Sequence, residues 1–225
     1  MESRNSGSQR QISKGLIMSI LALTSDTLIG TPAAGNIEYS SPIFTGTPVG
    51  TQRGIVPTQQ YYRLNSAVAG ANATGAQNIF GVGVTLSAST VYEFELMVAY
   101  SKSAGTTSHT FSMGFGGTAS VNNIGYEVIS KTNGTSFTNL ATSDTVQAFI
   151  QTASATALTG GNTSAALFLL HLIKGTVSVN AGGTFIPQYT LSAAPGGAYS
   201  TAIGSYIRIA PVGASGSNTS VGAWA

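Results

Sequence analysis

In two neighbouring stretches, residues 90–101 and 107–115, large apolar residues fall on every second position, with Glu93 and Glu95 between them in the first stretch and serine, threonine and glycine between them in the second. A period of two is typical of a β-strand with one buried and one solvent-facing side. The polar, glycine-containing segment 101–106 between them favours a hairpin loop. A slip of one residue would turn a whole apolar set towards water, so matching the apolar faces predicts one register. The predicted pairs are Tyr92–Phe115, Phe94–Met113, Leu96–Phe111 and Val98–His109.

Similar signals recur about every ten residues, separated by turns rich in glycine and asparagine. Many short strands at such spacing predict an all-β protein, and we expect an antiparallel β-sandwich of jelly-roll-like form. No repeat of fixed period is evident, which argues against a solenoid or a propeller. The predicted strands are 60–65, 82–88, 90–101, 107–115, 124–131, 145–152, 164–174, 176–179, 184–192 and 205–211.

Residues 165–173 are apolar without alternation. On periodicity alone this run could be a helix, but its length and its end at Lys174-Gly175 favour a strand buried on both faces. One of those faces would then meet another subunit.

Four regions are predicted along the chain: an N-terminal docking arm (1–31), an extended Pro/Gly-rich linker (32–58), the sandwich (59–212) and a Gly/Ser-rich tail (213–225). The apolar run 15–23 is too short to span a bilayer, which needs about 20 apolar residues, so we expect no membrane insertion. A secretory signal is the alternative interpretation of this run, and Asp26 weakens it. We favour a buried helix or a docking strand.

Only 7% of the residues are charged, against about a quarter in an average soluble domain. The 42% of hydrophobic residues, with nine Tyr and nine Phe, nevertheless provide ample material for a core. A surface so poor in charge predicts burial between subunits, that is, an obligate oligomer. The net charge is +2 and the basic residues are mostly scattered singly, which argues against a nucleic-acid partner. The absence of cysteine excludes disulfides and thiolate chemistry.

Candidate catalytic residues are few. The predicted register puts His109 on an apolar face and the Glu93/Glu95 pair on the opposite face, which disfavours a shared acid–base or metal site. We interpret His171 as a neutral core histidine with one satisfied nitrogen. A Ser-His-Asp triad using Asp26 or Asp144 stays open, although no nucleophile-elbow motif is present. Glu93 and Glu95 are predicted to form a solvated face or an oligomer contact, with a calcium site as the alternative. We expect no enzyme activity and no cofactor.

Seven sequence blocks resemble β-rich virion structural and fibre-like proteins of tailed bacteriophages. Similar proteins place a G-x-I-E-Y element and an R-G-x-x-P element before a β domain. The resemblance covers about residues 32–178. The blocks are Gly35-Asn-Ile-Glu-Tyr39, Thr51-Gln-Arg-Gly-Ile-Val-Pro57, Gln60-Tyr-Tyr-Arg-Leu64, Gly75-Ala-Gln-Asn-Ile-Phe-Gly81, Val91-Tyr-Glu-Phe-Glu95, Ala104-Gly-Thr-Thr-Ser-His109 and Phe115-Gly-Gly-Thr-Ala119.

This resemblance implies a virion protein and a homotrimer. The first hypothesis is a fibre-type protein, docked to the tail or baseplate by its N-terminal arm and presenting the sandwich for recognition of host-surface glycans. The second is a capsid decoration or cement protein that reads no receptor; a polysaccharide-degrading tailspike is disfavoured. The predicted virion-docking residues are Arg4, Arg10, Lys14, Leu16, Ile17, Ile20 and Leu21. Loops 132–143, 153–163 and 193–201 are rich in adaptable polar contacts, and their predicted receptor-facing residues are Asn133, Ser136, Asn139, Asn162 and Tyr199.

Overall fold

The structure is a computed structural model that describes residues 23–134, 145–152, 155–159, 161–222 and 224. Within these residues the chain forms sixteen β-strands and no helix. All pairings between these strands are antiparallel. The strands are β1 (Ile37–Ser40), β2 (Ile43–Val49), β3 (Gln52–Val56), β4 (Gln60–Arg63), β5 (Val68–Ala69), β6 (Gln77–Asn78), β7 (Val84–Leu86), β8 (Thr90–Lys102), β9 (Phe111–Gly116), β10 (Ser120–Gly134), β11 (Thr145–Gln151), β12 (Ala155–Ala157), β13 (Leu167–Ala181), β14 (Gly183–Leu191), β15 (Ser200–Thr201) and β16 (Tyr206–Ala214).

The segment predicted as an extended linker folds into a small sheet of its own. Strands β1, β2 and β3 form a three-stranded meander, with Pro42 and Gly50 at its two turns. Tyr39 pairs with Phe44, and their rings stack with centroids 4.3 Å apart. The prolines and glycines that suggested a linker are also the residues that tight turns require, so the sequence pattern did not separate the two.

The larger sheet of the sandwich has eight strands and is built around β8 and β13. One half runs in the order β11-β10-β13-β8. On the side of β8 away from β13, two strands pair with it in succession. Strand β16 pairs with residues Thr90 to Met97, and β15 pairs with Tyr100 and Ser101. Strand β4 extends the sheet beyond β16, and β5 extends it beyond β15.

The second sheet has five strands, and it overturns the predicted hairpin. Its order is β12-β9-β14-β6, with β7 also paired to β14. Strand β9 therefore lies in the opposite sheet from β8, and the two do not pair. Their apolar faces meet across the core instead: the ring centroids of Phe94 and Phe115 are 5.3 Å apart, and those of Tyr100 and Phe111 are 4.8 Å apart. The alternation of apolar and polar residues identifies which face of a strand is buried. It does not show whether a second strand with the same pattern pairs with the first in one sheet or packs against it from the facing sheet.

The core lies between the two sheets, and the prediction of an all-β antiparallel sandwich is confirmed. The ten predicted strands correspond to nine strands of the structure, while β5, β6, β12 and β15, each of two or three residues, were not predicted. The predicted strands 164–174 and 176–179 are one strand, β13, which continues through Gly175. The jelly-roll-like connectivity stays a prediction. No helix in the described part of the chain is long and apolar enough to cross a membrane.

Candidate display end and outer sheet face

Strand β8 runs the length of the sandwich and defines its two ends. Its 13 residues span about 40 Å at about 3.3 Å per residue. The Thr90 end faces the meander β1–β3 across a cleft of about 730 Å³, which residues 212–222 also line. We call this the meander end. The Lys102 end carries loops 103–110, 161–166 and 192–199, and we call it the loop end.

Lys102 is buried at the loop end and holds two of its loops together. Only 3% of the residue is exposed, and its Nζ donates to the carbonyl oxygens of Ala104 at 3.1 Å, Gly105 at 2.7 Å and Ser164 at 2.6 Å. Burial lowers the pKa of this ammonium group. The sequence analysis missed this residue, although its even spacing from Tyr100 places it on the inward face of β8.

His109 and Tyr199 join loop 103–110 to loop 192–199. The His109 ring forms hydrogen bonds through Nδ1 with the carbonyl of Thr107 at 2.8 Å and through Nε2 with the hydroxyl of Tyr199 at 2.7 Å. Tyr199 is fully buried, so its prediction as a receptor-facing residue is wrong. A tyrosine between glycine-rich turns has no sequence feature that separates a surface contact from a core anchor. The placement of His109 on an apolar face is confirmed.

The exposed surface of the loop end is rich in hydroxyl groups. Ser103, Thr106, Thr107, Ser108 and Thr163 are all exposed there. Asn162, a predicted receptor-facing residue, is half-buried. Its backbone bridges to His109, and its Oδ1 accepts a hydrogen bond from the Ser164 amide at 2.8 Å. Asn162 therefore shapes the loop as well as presenting part of its surface.

Most of the remaining predicted site residues lie outside the described residues. Asn133 lies near the C-terminal end of β10, while Ser136 and Asn139 lie outside the described residues. The docking residues Arg4, Arg10, Lys14, Leu16, Ile17, Ile20 and Leu21 also lie outside them. Their assigned roles stay predictions.

His171 lies on the inward face of β13 in an apolar environment. It is fully buried, and its ring packs edge-on against Tyr100 and Phe111. Neither ring nitrogen has a hydrogen-bond partner among the described residues, so the predicted single satisfied nitrogen is wrong. Its cross-strand neighbour Ser130 and the hydroxyl of Tyr100 are likewise buried and unpartnered there. Desolvation lowers the pKa of His171 to about 3, which keeps the imidazole neutral.

Neither histidine forms the base of a catalytic triad with the described residues. His109 uses both ring nitrogens on Thr107 and Tyr199, and His171 contacts aromatic rings. Asp26 lies beside the meander, where its carboxylate accepts from the Thr27 amide, and Asp144 is outside the described residues. Within the described part of the chain, no three metal-ligating side chains come together.

The outer face of the eight-stranded sheet carries a row of alternating charges. The register aligns Arg208, Glu95, Lys174 and Glu127 on neighbouring strands. Glu95 accepts from the Tyr206 hydroxyl at 2.7 Å and from Arg208 at 2.7 Å, and Lys174 lies 3.4 Å away. The hydrogen bond from Tyr206, followed by that from Arg208, lowers the pKa of Glu95. Three partners already compensate this carboxylate, which weakens the alternative of a calcium site at Glu93/Glu95.

Beside this row the outer face is apolar. The next row aligns Met97, Leu172, Ile129 and Ala148 across four strands. Leu172 and Ile129 are 41% and 42% exposed. Further exposed residues on this face are Val146, Ile150 and Tyr61. The inward residues of β13 are buried, whereas its outward residues are half-buried or exposed. The strand was predicted to be buried on both faces, and in the single chain its outward face is open.

Comparison with known proteins adds little to this geometry. No known protein family and no curated protein matches the chain. A solved structure described as the structure of infectious bursal disease virus Gx strain aligns with a TM-score of 0.18 and 9% identity, over 77% of this chain and 46% of that one. The chain thus spans less than half the length of that viral protein, and a similarity at this level carries no argument about fold or function.

Proposed function

We propose that this chain is a structural protein of a bacteriophage virion. It is a fibre-type homotrimer, attached to the tail or baseplate by its N-terminus, whose β-sandwich recognises glycans on the host surface. The seven sequence blocks over residues 32–178 support the assignment to a virion. The all-β fold agrees with what that resemblance implies.

The observation that carries the fibre-type proposal is the polarity of the sandwich. The chain enters through the meander beside the Thr90 end of β8, while the loops gather around Lys102, about 40 Å away. An N-terminal attachment at one end would therefore leave the loop end pointing outwards. Binding loops held on a rigid β scaffold are a common arrangement for recognition.

The chemistry of the loop end fits a neutral, hydroxyl-rich ligand. Its exposed residues Ser103, Thr106, Thr107, Ser108 and Thr163 offer donors and acceptors without charge. The hydroxyl groups of glycans likewise donate and accept hydrogen bonds without carrying charge. The proposal requires no cofactor, no nucleic acid and no insertion into a membrane.

The test is the location and the copy number of the protein on the intact particle. Imaging particles with a label on the C-terminus should place a few trimers at the tail or baseplate. Label spread over the shell in hundreds of copies would overturn the fibre assignment in favour of a decoration protein.

A second experiment tests the docking arm. Deleting residues 1–23 should leave a folded sandwich that no longer attaches to particles. A matched variant with Arg4, Arg10 and Lys14 changed to glutamine keeps the apolar run and isolates the contribution of charge. Assembly of the deletion variant onto particles at the wild-type level would contradict the docking role.

A further inference from the structure

The outer face of the eight-stranded sheet has the form of an interface rather than of a solvated surface. An antiparallel sheet with one wet face normally alternates apolar and polar residues. Here the outward positions of four adjacent strands bring Met97, Leu172, Ile129 and Ala148 into one row. Val146 is 53% exposed and Ile150 is 85% exposed at the edge strand β11. Contiguous exposed apolar side chains of this kind mark a contact site.

We infer that this outer face binds further copies of the same chain and forms the subunit interface of the homotrimer. The inference rests on the proposed function, since it names the surface through which the trimer assembles. The partner is a second sandwich, packed through the apolar row.

The charges on this face support a second copy as the partner. Arg208, Glu95, Lys174 and Glu127 alternate in sign along their row, and the four formal charges cancel. The same row on a second copy, displaced by one strand, places unlike charges opposite each other, and such a heterologous contact is the kind that closes a cyclic trimer. Burial of a balanced row leaves no uncompensated charge, whereas burial of a single charge is costly.

The size of the face also fits a stable interface. Six strands, from β4 to β11, span about 24 Å at about 4.8 Å per strand, and β8 is about 40 Å long. A stable complex buries about 800 Å² on each partner. The face therefore has enough area without a contribution from the loop end, which stays available for a ligand.

Light scattering on Leu172→Glu tests the inference. The wild-type protein should have three times the 22.8 kDa mass of the chain, and the variant should show a threefold lower mass with an unchanged circular dichroism spectrum. Val82→Glu is the matched control, because Val82 is 45% exposed and precedes β7 in the other sheet; it should remain trimeric. A Leu172→Glu protein that is still trimeric would contradict the proposed interface without contradicting the homotrimer.

A second measurement does not depend on introducing a charge. The chain has no cysteine, so Leu172→Cys and Val82→Cys each provide a single thiol. A bulky maleimide should modify the residue-172 thiol at least tenfold more slowly than the residue-82 thiol. Equal rates in the oligomer would contradict burial of this face. A monomeric wild-type protein at micromolar concentration would overturn both the interface and the homotrimer, but it would not decide attachment to the particle, which the arm deletion tests separately.

Discussion

The Nζ of Lys102 lies 2.6 Å from the carbonyl oxygen of Ser164, a residue 62 positions further along the chain. With the carbonyls of Ala104 and Gly105, this contact places a cation among three backbone acceptors at the loop end. The loop surface proposed to recognise glycans is therefore tied to the end of the central strand by one buried ammonium group.

We expect Lys102→Met to lower the free energy of unfolding by about 2–4 kcal/mol, because hydrogen bonds to a charged group are lost and three carbonyls lose their shared donor. Urea unfolding measures this change. Ser103→Ala, at the exposed neighbouring position, is the control and should change stability by less than about 0.5 kcal/mol. Equal stability of the two variants would show that the ammonium group is not a structural clamp.

Two buried tyrosines offer a matched pair. Tyr199→Phe removes the hydrogen-bond partner of His109 Nε2 and should cost about 1–3 kcal/mol, since a buried polar atom is left unpaired. Tyr100→Phe removes a hydroxyl that has no partner among the described residues, so it should be neutral or stabilising. Thermal unfolding of both variants provides the comparison, and a larger loss for Tyr100→Phe would contradict the hydrogen-bond assignment.

His171 should make the protein sensitive to acid. Desolvation lowers its pKa from 6.5 to about 3 in the folded state, so the unfolded chain binds its proton more readily. Stability is then fully present above pH 6.5 and is lost as the pH falls towards 3. The loss should reach about 2–3 kcal/mol at pH 4.5.

The control for this prediction is His171→Leu, which removes the titrating group and leaves an apolar side chain among Tyr100 and Phe111. Its unfolding free energy should lose that part of the pH dependence while remaining at or above the wild-type value at pH 7. If the unfolding free energies of the wild-type protein and the variant depend on pH in the same way, His171 is not the source of the acid sensitivity.

A glycine pair tests the packing of β10 against β13. A Cβ at Gly175 would overlap the carbonyl oxygen of Gly125 and the backbone of Tyr126, whereas a Cβ at Gly125 meets nothing within 4 Å. Gly175→Ala should therefore destabilise the protein by about 1–3 kcal/mol. Gly125→Ala should be neutral or slightly stabilising, because alanine restricts the unfolded chain. Urea unfolding of both variants measures the difference, and equal effects would contradict the close approach of the two strands.

The sequence by itself determined the fold class and which face of each long strand is buried. Alternation in β8 correctly placed Tyr92, Phe94 and Leu96 inside, because side chains in a strand point to opposite faces whatever its neighbours are. It also contained the signal for Lys102, whose parity with Tyr100 directs it inwards. The identification of His109 as a residue of an apolar face rests on the same periodicity.

Only the tertiary structure decided which strands are partners. Phe94 and Phe115 belong to opposite sheets, because an apolar face can be covered equally well by a neighbouring strand or by a facing sheet, and local pattern does not distinguish the two. The same limit explains the burial of Tyr199 and the apolar row through Leu172 and Ile129. Both depend on residues far apart in the chain that come together only when the sheet assembles.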